Sequence, residues 1–409
     1  MKTFLWTHCR LVWITLQIFA NGSANGEDPL DAFKAAFDRY ALIVVPGRVM
    51  GHDVTCLLDT GVSVSVIDTS LATTHLKAAR FGLDRARTAT GTLLVERFEG
   101  FSRNCLSFPE KTGPAVAMDL SQIATIAGVQ VDVVLGMDYL HPLVFEMKAG
   151  IPRFVERAEF EHDSKMQSFP LASAADFPRI DVELPVLGKR QFLIDTGRGD
   201  FVAMKSDLLK LLLKADEAVL LHELPATDRP GAKTESDYVI REMRILGTTM
   251  QNVLVSESDA NRIGLGLMRH FDFSIDFENS VVYVFPGSKA MNSFPLDASG
   301  LWSVIPTASG ILLRIVPKSP ADVAGIKNGD QLLEINGQNA EMLSSWEITE
   351  LLSQSDKTIQ LKVKSSDQVR DIQLPLRRNF EYPPKWKPRS TDADDFYKSL
   401  QREPERSPR

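Results

Sequence analysis

Two stretches of this 409-residue chain carry an aspartate, a threonine and a glycine at the end of an apolar run: "LLDTGVSVSVID", residues 57–68, and "FLIDTGRGDFVAM", residues 192–204. A carboxylate at the end of a buried strand is costly to desolvate unless it is hydrogen-bonded, paired or put to use. Two such groups, Asp59 and Asp195, one ionised and one protonated, would supply a general base and a general acid without a metal or a covalent intermediate. Other chemistries find less support. The seven histidines fall in no metal-ligand spacing such as HExxH, and no CxxC is present. No GxSxG elbow surrounds Ser63 or Ser65, and "GLGLMRH" lacks the GK[ST] ending of a phosphate loop. No cofactor and no metal are expected, and His52 and His270 read as surface or hairpin residues.

The surroundings of the two sites repeat as well. Each aspartate follows a strand-like run, "DVTCLLD" or "KRQFLID", and precedes a helix candidate, "SLATTHLKAARFGL" from Ser70 or "SDLLKLLLKADEAVLLHEL" from Ser206, each opening on a capping-type serine. A Leu-Gly pair comes later in each half, at Leu135–Gly136 and Leu265–Gly266, and each half closes on a hairpin pattern turning near Gly150 or Ser280. Gly136 and Gly266 lie 130 residues apart, as do Gly150 and Ser280. The natural reading is two copies of one β-rich lobe.

The halves resemble retropepsin-type lobes of the aspartic proteases, whose signature is a DTG loop followed by an apolar-apolar-Gly strand, here "VVLG". In lobe 1 only Val62 departs from the pattern. In lobe 2 Arg198 stands at that position, Phe201 stands where Ser or Thr is common, and "GLG" replaces the apolar-apolar-Gly. The resemblance implies that Asp59 and Asp195 face each other across a cleft and share one proton, because two like charges that close cannot both ionise comfortably. It also implies that Thr60 and Thr196 hydrogen-bond across the lobes, with Gly61 and Gly197 letting the backbone turn beside the carboxyls. A flap is expected at "TATGT", residues 88–92, placing Thr90 and Gly91 with Arg198 as substrate-cleft candidates, and its counterpart at "TDRPGAKT", residues 227–234. The alternative for both is an ordinary surface turn. Arg198 has two open orientations: lining the cleft, or turned away to Asp200.

Beyond Phe285 a Pro, Gly and Ser-rich connection leads to "SGILLRIVPKSPADVAGIKNGDQLLEINGQ", residues 309–338. This stretch resembles a PDZ domain of the bacterial, protease-associated type, with "SSWEITELLSQ" as its groove helix. The resemblance implies a peptide carboxylate held by backbone N–H groups of Gly310, Ile311 and Leu312, the peptide adding as a strand. Ile311 and Leu313 also suit a core.

Lys2 and Arg10, an apolar run from Leu11 to Ala20 and small residues near Ala24 have the layout of a secretory signal peptide, too short to span a bilayer. Cys9 would leave with it, and Cys56 and Cys105 remain as one disulfide or two buried thiols. The net charge of -7 argues against a nucleic-acid partner. The expected fold class is mainly β: two retropepsin-like acid-protease β-barrel lobes related by a pseudo-twofold axis, then an α+β PDZ domain. The expected segments are a signal peptide (1–24), lobe 1 (41–157), lobe 2 (175–287), the PDZ domain (296–378) and a disordered tail (379–409). The expected activity is an aspartic-type endopeptidase, secreted or periplasmic, with no integral membrane span after signal cleavage. Its expected partners are a protein or peptide substrate and a peptide or protein C-terminus at the PDZ domain. The rivals are a non-catalytic peptide-binding protein with a decayed second lobe, and dyads formed between chains.

Overall fold

The structure is a computed structural model that describes residues 37–38, 41–74, 80–88, 91–106, 108–127, 129–173, 177–224, 235–285, 294–307, 310–366, 368–378 and 386. The proposed signal peptide lies outside the described residues. Half of the chain is strand, which makes it mainly β. The first lobe holds β1 (Val44–Val49), β2 (His52–Leu58), β3 (Val66–Asp68), β4 (Arg80–Thr88), β5 (Gly91–Cys105), β6 (Lys111–Met118) and β7 (Val133–Leu135). They form a seven-stranded sheet in the order β1-β2-β7-β3-β6-β5-β4, and β1 also pairs with β5, giving a barrel-like closure.

After the hairpin β8 (Leu143–Lys148) and β9 (Ile151–Glu156), and the short β10 (Gln167–Pro170), the path is run again. The strands β11 (Arg179–Leu184), β12 (Gly188–Ile194), β13 (Val202–Lys205), β14 (Ala218–Leu224), β15 (Glu235–Ile245), β16 (Thr248–Ser258) and β17 (Arg262–Ile263) take the order β11-β12-β17-β13-β16-β15-β14, with β11 also pairing with β15. Strand for strand, this is the topology of the first lobe. A second closing hairpin, β18 (Phe273–Asp276) and β19 (Val281–Val284), follows it.

The two hairpins and β10 form one five-stranded sheet, β10-β19-β18-β8-β9, that joins the lobes. Phe145 faces Ile275, with Val144 opposite Asp276 and Glu146 opposite Ser274. Residues 145 and 275 stand 130 apart, so the pairing maps onto itself when the lobes are exchanged, and a pseudo-twofold axis passes through that pair. Its buried polar groups are satisfied across the lobe boundary: Ser274 Oγ donates to Glu146 at 3.3 Å, and Arg157 pairs with Asp276 at 3.3 Å.

Sequence and burial explain why each aspartate sits where it does. Along β2 the side chains pass from exposed at His52 and Asp53 to buried at Cys56, Leu57 and Leu58. Along β12 they pass from exposed Gly188 and Lys189 to buried Phe192, Leu193 and Ile194. Each strand therefore runs from a surface turn into the interior and delivers its aspartate there. Cys56 and Cys105 are buried free thiols in lobe 1.

The helices are shorter than expected. After the helix Thr69–Thr74 the chain becomes β4, and after the helix Ser206–Lys214 it becomes β14, because these segments gain the antiparallel partner β5 or β15. Neither serine acts as a side-chain cap: Ser70 donates to Asp68, and Ser206 donates to Glu257.

The C-terminal module is a further sheet of β20 (Leu301–Thr307), β21 (Gly310–Ile315), β22 (Gln331–Ile335), β24 (Thr358–Ser365) and β25 (Gln368–Pro375) in that order, with β23 (Gln338–Asn339) on β22. Asn336 and Gly337, both at positive φ, make the tight turn between β22 and β23. The helix Ser345–Leu352 starts on a capping box of Ser344 and Glu347. The module has its own core, including Leu313, Ile335, Ile348, Leu361 and Leu374. It is also docked on lobe 2. Arg269 lies 4.0 Å from the Trp346 ring, and His222 meets Trp302 edge-on at 4.4 Å. Within the proposed tail, Trp386 is buried and donates to the Asp216 carbonyl at 2.8 Å; the other residues from 379 on lie outside the described ones.

Candidate active site

The two DTG loops meet through crossed hydrogen bonds. Thr60 Oγ1 donates to the Ile194 carbonyl at 2.6 Å, and Thr196 Oγ1 donates to the Leu58 carbonyl at 2.8 Å. Each hydroxyl also accepts from the other loop, Thr196 N–H to Thr60 Oγ1 at 3.1 Å and Thr60 N–H to Thr196 Oγ1 at 3.0 Å. Both threonines are fully buried, so all four bonds form away from water. The loops beneath are equally matched: Asp59 N–H donates to the Leu135 carbonyl at 3.0 Å, and Asp195 N–H to the Ile263 carbonyl at 2.9 Å.

This clasp brings the carboxyls together. Gly61 N–H donates to Asp59 at 2.6 Å and Gly197 N–H to Asp195 at 3.1 Å. A Cβ on Gly197 would stand 2.3 Å from the Asp59 carboxyl carbon, and one on Gly61 would stand 2.7 Å from Asp195 Oδ1. Each carboxyl thus rests on the other loop's glycine, a contact that no residue with a side chain permits. Burial pushes the Asp59 carboxyl up, against the N–H of Gly61 and the hydrogen bond to Asp195. Burial, then the charge of Asp59, pushes Asp195 well up. The pair holds one proton to higher pH than a free carboxyl would.

The supporting strand of lobe 2 differs in register from the sequence expectation. Met137 N–H donates to the Val62 carbonyl and Leu265 N–H donates to the Arg198 carbonyl, both at 2.8 Å. Since Val62 and Arg198 each follow a DTG, the counterpart of Gly136 is Gly264, not Gly266. A Cβ on Gly136 would come within 2.6 Å of the Val62 carbonyl oxygen, and one on Gly264 within 2.3 Å of that of Asp200. The motif in lobe 2 is therefore "RIG", and Arg262 takes the place of Val134. The sequence reasoning missed Arg262, whose only signal was a spacing two residues shorter than 130.

Arg198 turns away from the dyad to Asp200, with Nε at 2.9 and 3.1 Å from the two carboxylate oxygens and Nη2 closer still. Arg262 also stands beside the dyad, its Nε 3.5 Å from Asp195 Oδ2, and the charges of Arg198 and Arg262 both lower the Asp195 carboxyl against the larger effect of burial. Of the flap candidates, Thr90 lies outside the described residues, while Gly91 opens β5 opposite Thr88 in an antiparallel hairpin. The counterpart at 227–234 also lies outside. His52 is exposed, while His270 is half-buried: it stacks on Phe201 and is held near a pKa of about 3, chiefly by burial.

Residues 45–139 match the aspartyl protease family, and residues 303–364 match the PDZ domain family. The chain carries an aspartyl protease domain and a C-terminal PDZ domain. Among curated proteins, the carboxyl-terminal-processing peptidase 1, chloroplastic, of Arabidopsis thaliana is 36% identical over 75 residues, 18% of this chain and 15% of that protein's length.

The PDZ domain corrects one expectation. Ile311 and Leu312 cannot receive an added strand, because β21 is paired there on both sides, with β20 and with β22, and Gly310 is paired with Thr307 of β20. A peptide adds only to a free edge, and Ile311 is a core residue. The sheet has two edge strands, β20 and β25, and β20 is the one beside the groove helix. Its Leu301 and Trp302 share the wall of a cavity of about 480 Å³ with Ser345 and Trp346 of the groove helix and with Arg198 and His222 of lobe 2. Among the described residues no His, Cys, Asp and Glu cluster could hold a metal, and no helix is long and apolar enough to cross a membrane.

Proposed function

We propose that this protein is an aspartic-type endopeptidase in which Asp59 and Asp195 activate a water for attack on a peptide bond. The observation that carries the reading is the crossed threonine clasp, which holds two carboxyls against each other in a buried site. The ionised member of the pair takes a proton from the water while the protonated member donates to the substrate carbonyl oxygen. The crossed bonds fix both carboxyls before substrate arrives, so little reorganisation is left for the transition state. Arg198 does not obstruct this chemistry, being held by Asp200. The PDZ domain would recruit a protein segment, with the β20 edge as the strand that receives it. Export to a secreted or periplasmic location is part of the proposal, on the strength of the N-terminal segment, and N-terminal sequencing of the mature protein tests it. Digestion of a peptide library across pH by wild type, Asp59→Asn and Asp195→Asn tests the activity. Cleavage by wild type alone is the expected result.

A further inference from the structure

The two lobes place different residues at one equivalent strand position beneath the dyad. In lobe 1 the position two residues before Gly136 is Val134, packed with Leu57 and Val66 in an apolar cluster. In lobe 2 the same position, two before Gly264, is Arg262, paired in the sheet with Leu193 and Ala203. Its guanidinium spans two carboxylates, with Nε 3.5 Å from Asp195 Oδ2 and Nη2 3.4 Å from Asp259 Oδ1. The Arg262 side chain is 18% exposed and that of Asp259 is 48% exposed. An ion pair with so exposed a partner contributes little and exchanges readily. Arginine carries five donors in a planar fork suited to a carboxylate, and among the described residues these two loose contacts are all that Arg262 makes with acidic groups.

We propose that Arg262 is a specificity-determining residue of the cleft, selecting a substrate residue with a carboxylate side chain on the lobe 2 side of the scissile bond. This rests on the endopeptidase reading. The incoming carboxylate takes the place of Asp259, and Arg262 offsets its repulsion from the single negative charge shared by Asp59 and Asp195. The neighbouring charges do not supply a second receptor: Arg198 is committed to Asp200.

The test compares kcat/KM for matched peptides that differ only in Glu against Gln at each position flanking the cut. Wild type is expected to favour Glu at one flanking position by about tenfold, the effect of one charge-assisted contact. The ratio should fall toward one as pH drops through the Glu side chain's value of about 4.3. Arg262→Met should remove the preference, and Arg262→Lys should keep part of it. Equal cleavage of the Glu and Gln peptides by wild type overturns the proposal while leaving the endopeptidase reading intact. A variant that shifts only the pH limit of activity, with the Glu preference unchanged, also overturns it and makes Arg262 a tuner of the dyad. Absence of any cleavage dependent on Asp59 removes the endopeptidase reading, and this proposal with it.

Discussion

Lobe 1 and lobe 2 share a strand order, a DTG loop and a glycine-started helical turn, yet they are braced by opposite means. In lobe 1, Ser65 Oγ donates to Asp138 at 2.7 Å and accepts from Gly136 N–H at 3.2 Å, and Asp138 holds the buried Arg103 at 2.5 Å. In lobe 2 the same two positions are Phe201 and Gly266. Phe201 packs edge-on against Phe294 at 5.1 Å, and Gly266 donates its N–H to the Asp200 carbonyl at 3.0 Å. A Cβ on Gly266 would meet that oxygen at 2.7 Å, so the aspartate of lobe 1 has no room there. The backbone geometry beneath an active-site loop can thus be kept by a polar brace or an apolar one.

The lobes should contribute equally to chemistry. Asp59→Asn and Asp195→Asn are each expected to lower kcat/KM on a peptide substrate by on the order of 10³-fold or more, because neither carboxyl alone supplies both acid and base. A large difference between the two variants would break the symmetry that the clasp implies.

Stability should separate the lobes. Asp138→Ala leaves the Arg103 guanidinium buried without its carboxylate and is expected to cost about 3–5 kcal/mol in denaturant unfolding. Phe201→Ala removes apolar packing in lobe 2 and should cost about 3 kcal/mol. Raised salt should not reduce the second effect. If both losses vary with salt alike, the contrast between the braces is mistaken.

Acid should act on lobe 2 first. Burial holds His222 at a pKa of about 4 against an ordinary value of 6.5. The unfolded chain therefore takes up this proton before the folded one, and stability is full above pH 6.5 and declines as pH falls from there toward 4. At pH 5 the loss from His222 is on the order of 2 kcal/mol. Melting curves between pH 4 and 7 for wild type and His222→Phe measure it, with a shallower pH slope expected in the variant. In lobe 1 the buried thiols are pushed upward instead, Cys105 to about 12, and do not titrate in this range.

The smallest effect belongs to Arg198. Its positive charge lowers the Asp195 carboxyl against the larger effect of burial, but Asp200 screens it. Arg198→Ala should move the alkaline limit of activity to slightly higher pH, as read from kcat/KM profiles. No movement would show that Asp200 neutralises Arg198 completely.

Much of this molecule was legible in the sequence. The DTG loops announce themselves because a polar tripeptide closing an apolar strand is a local feature, and the mainly β class follows from strands written twice in the same order. The "SPADVAGIKNGDQLLEING" stretch likewise carries its turns in adjacent residues. What the sequence could not decide was pairing. Residues 80–83 and 218–224 continue helix-like patterns and become strands only because β5 and β15 lie beside them. Gly264 rather than Gly266 matches Gly136 because the N–H groups of Leu265 and Gly266 donate to carbonyls 67 and 66 residues earlier in the chain, at Arg198 and Asp200. Arg262 reads as an ordinary charged residue until that register sets it beside Asp195. Side-chain type is fixed locally, whereas the edge a strand leaves open and the residue a charge faces are fixed by hydrogen bonds between distant segments, and only the folded chain contains those.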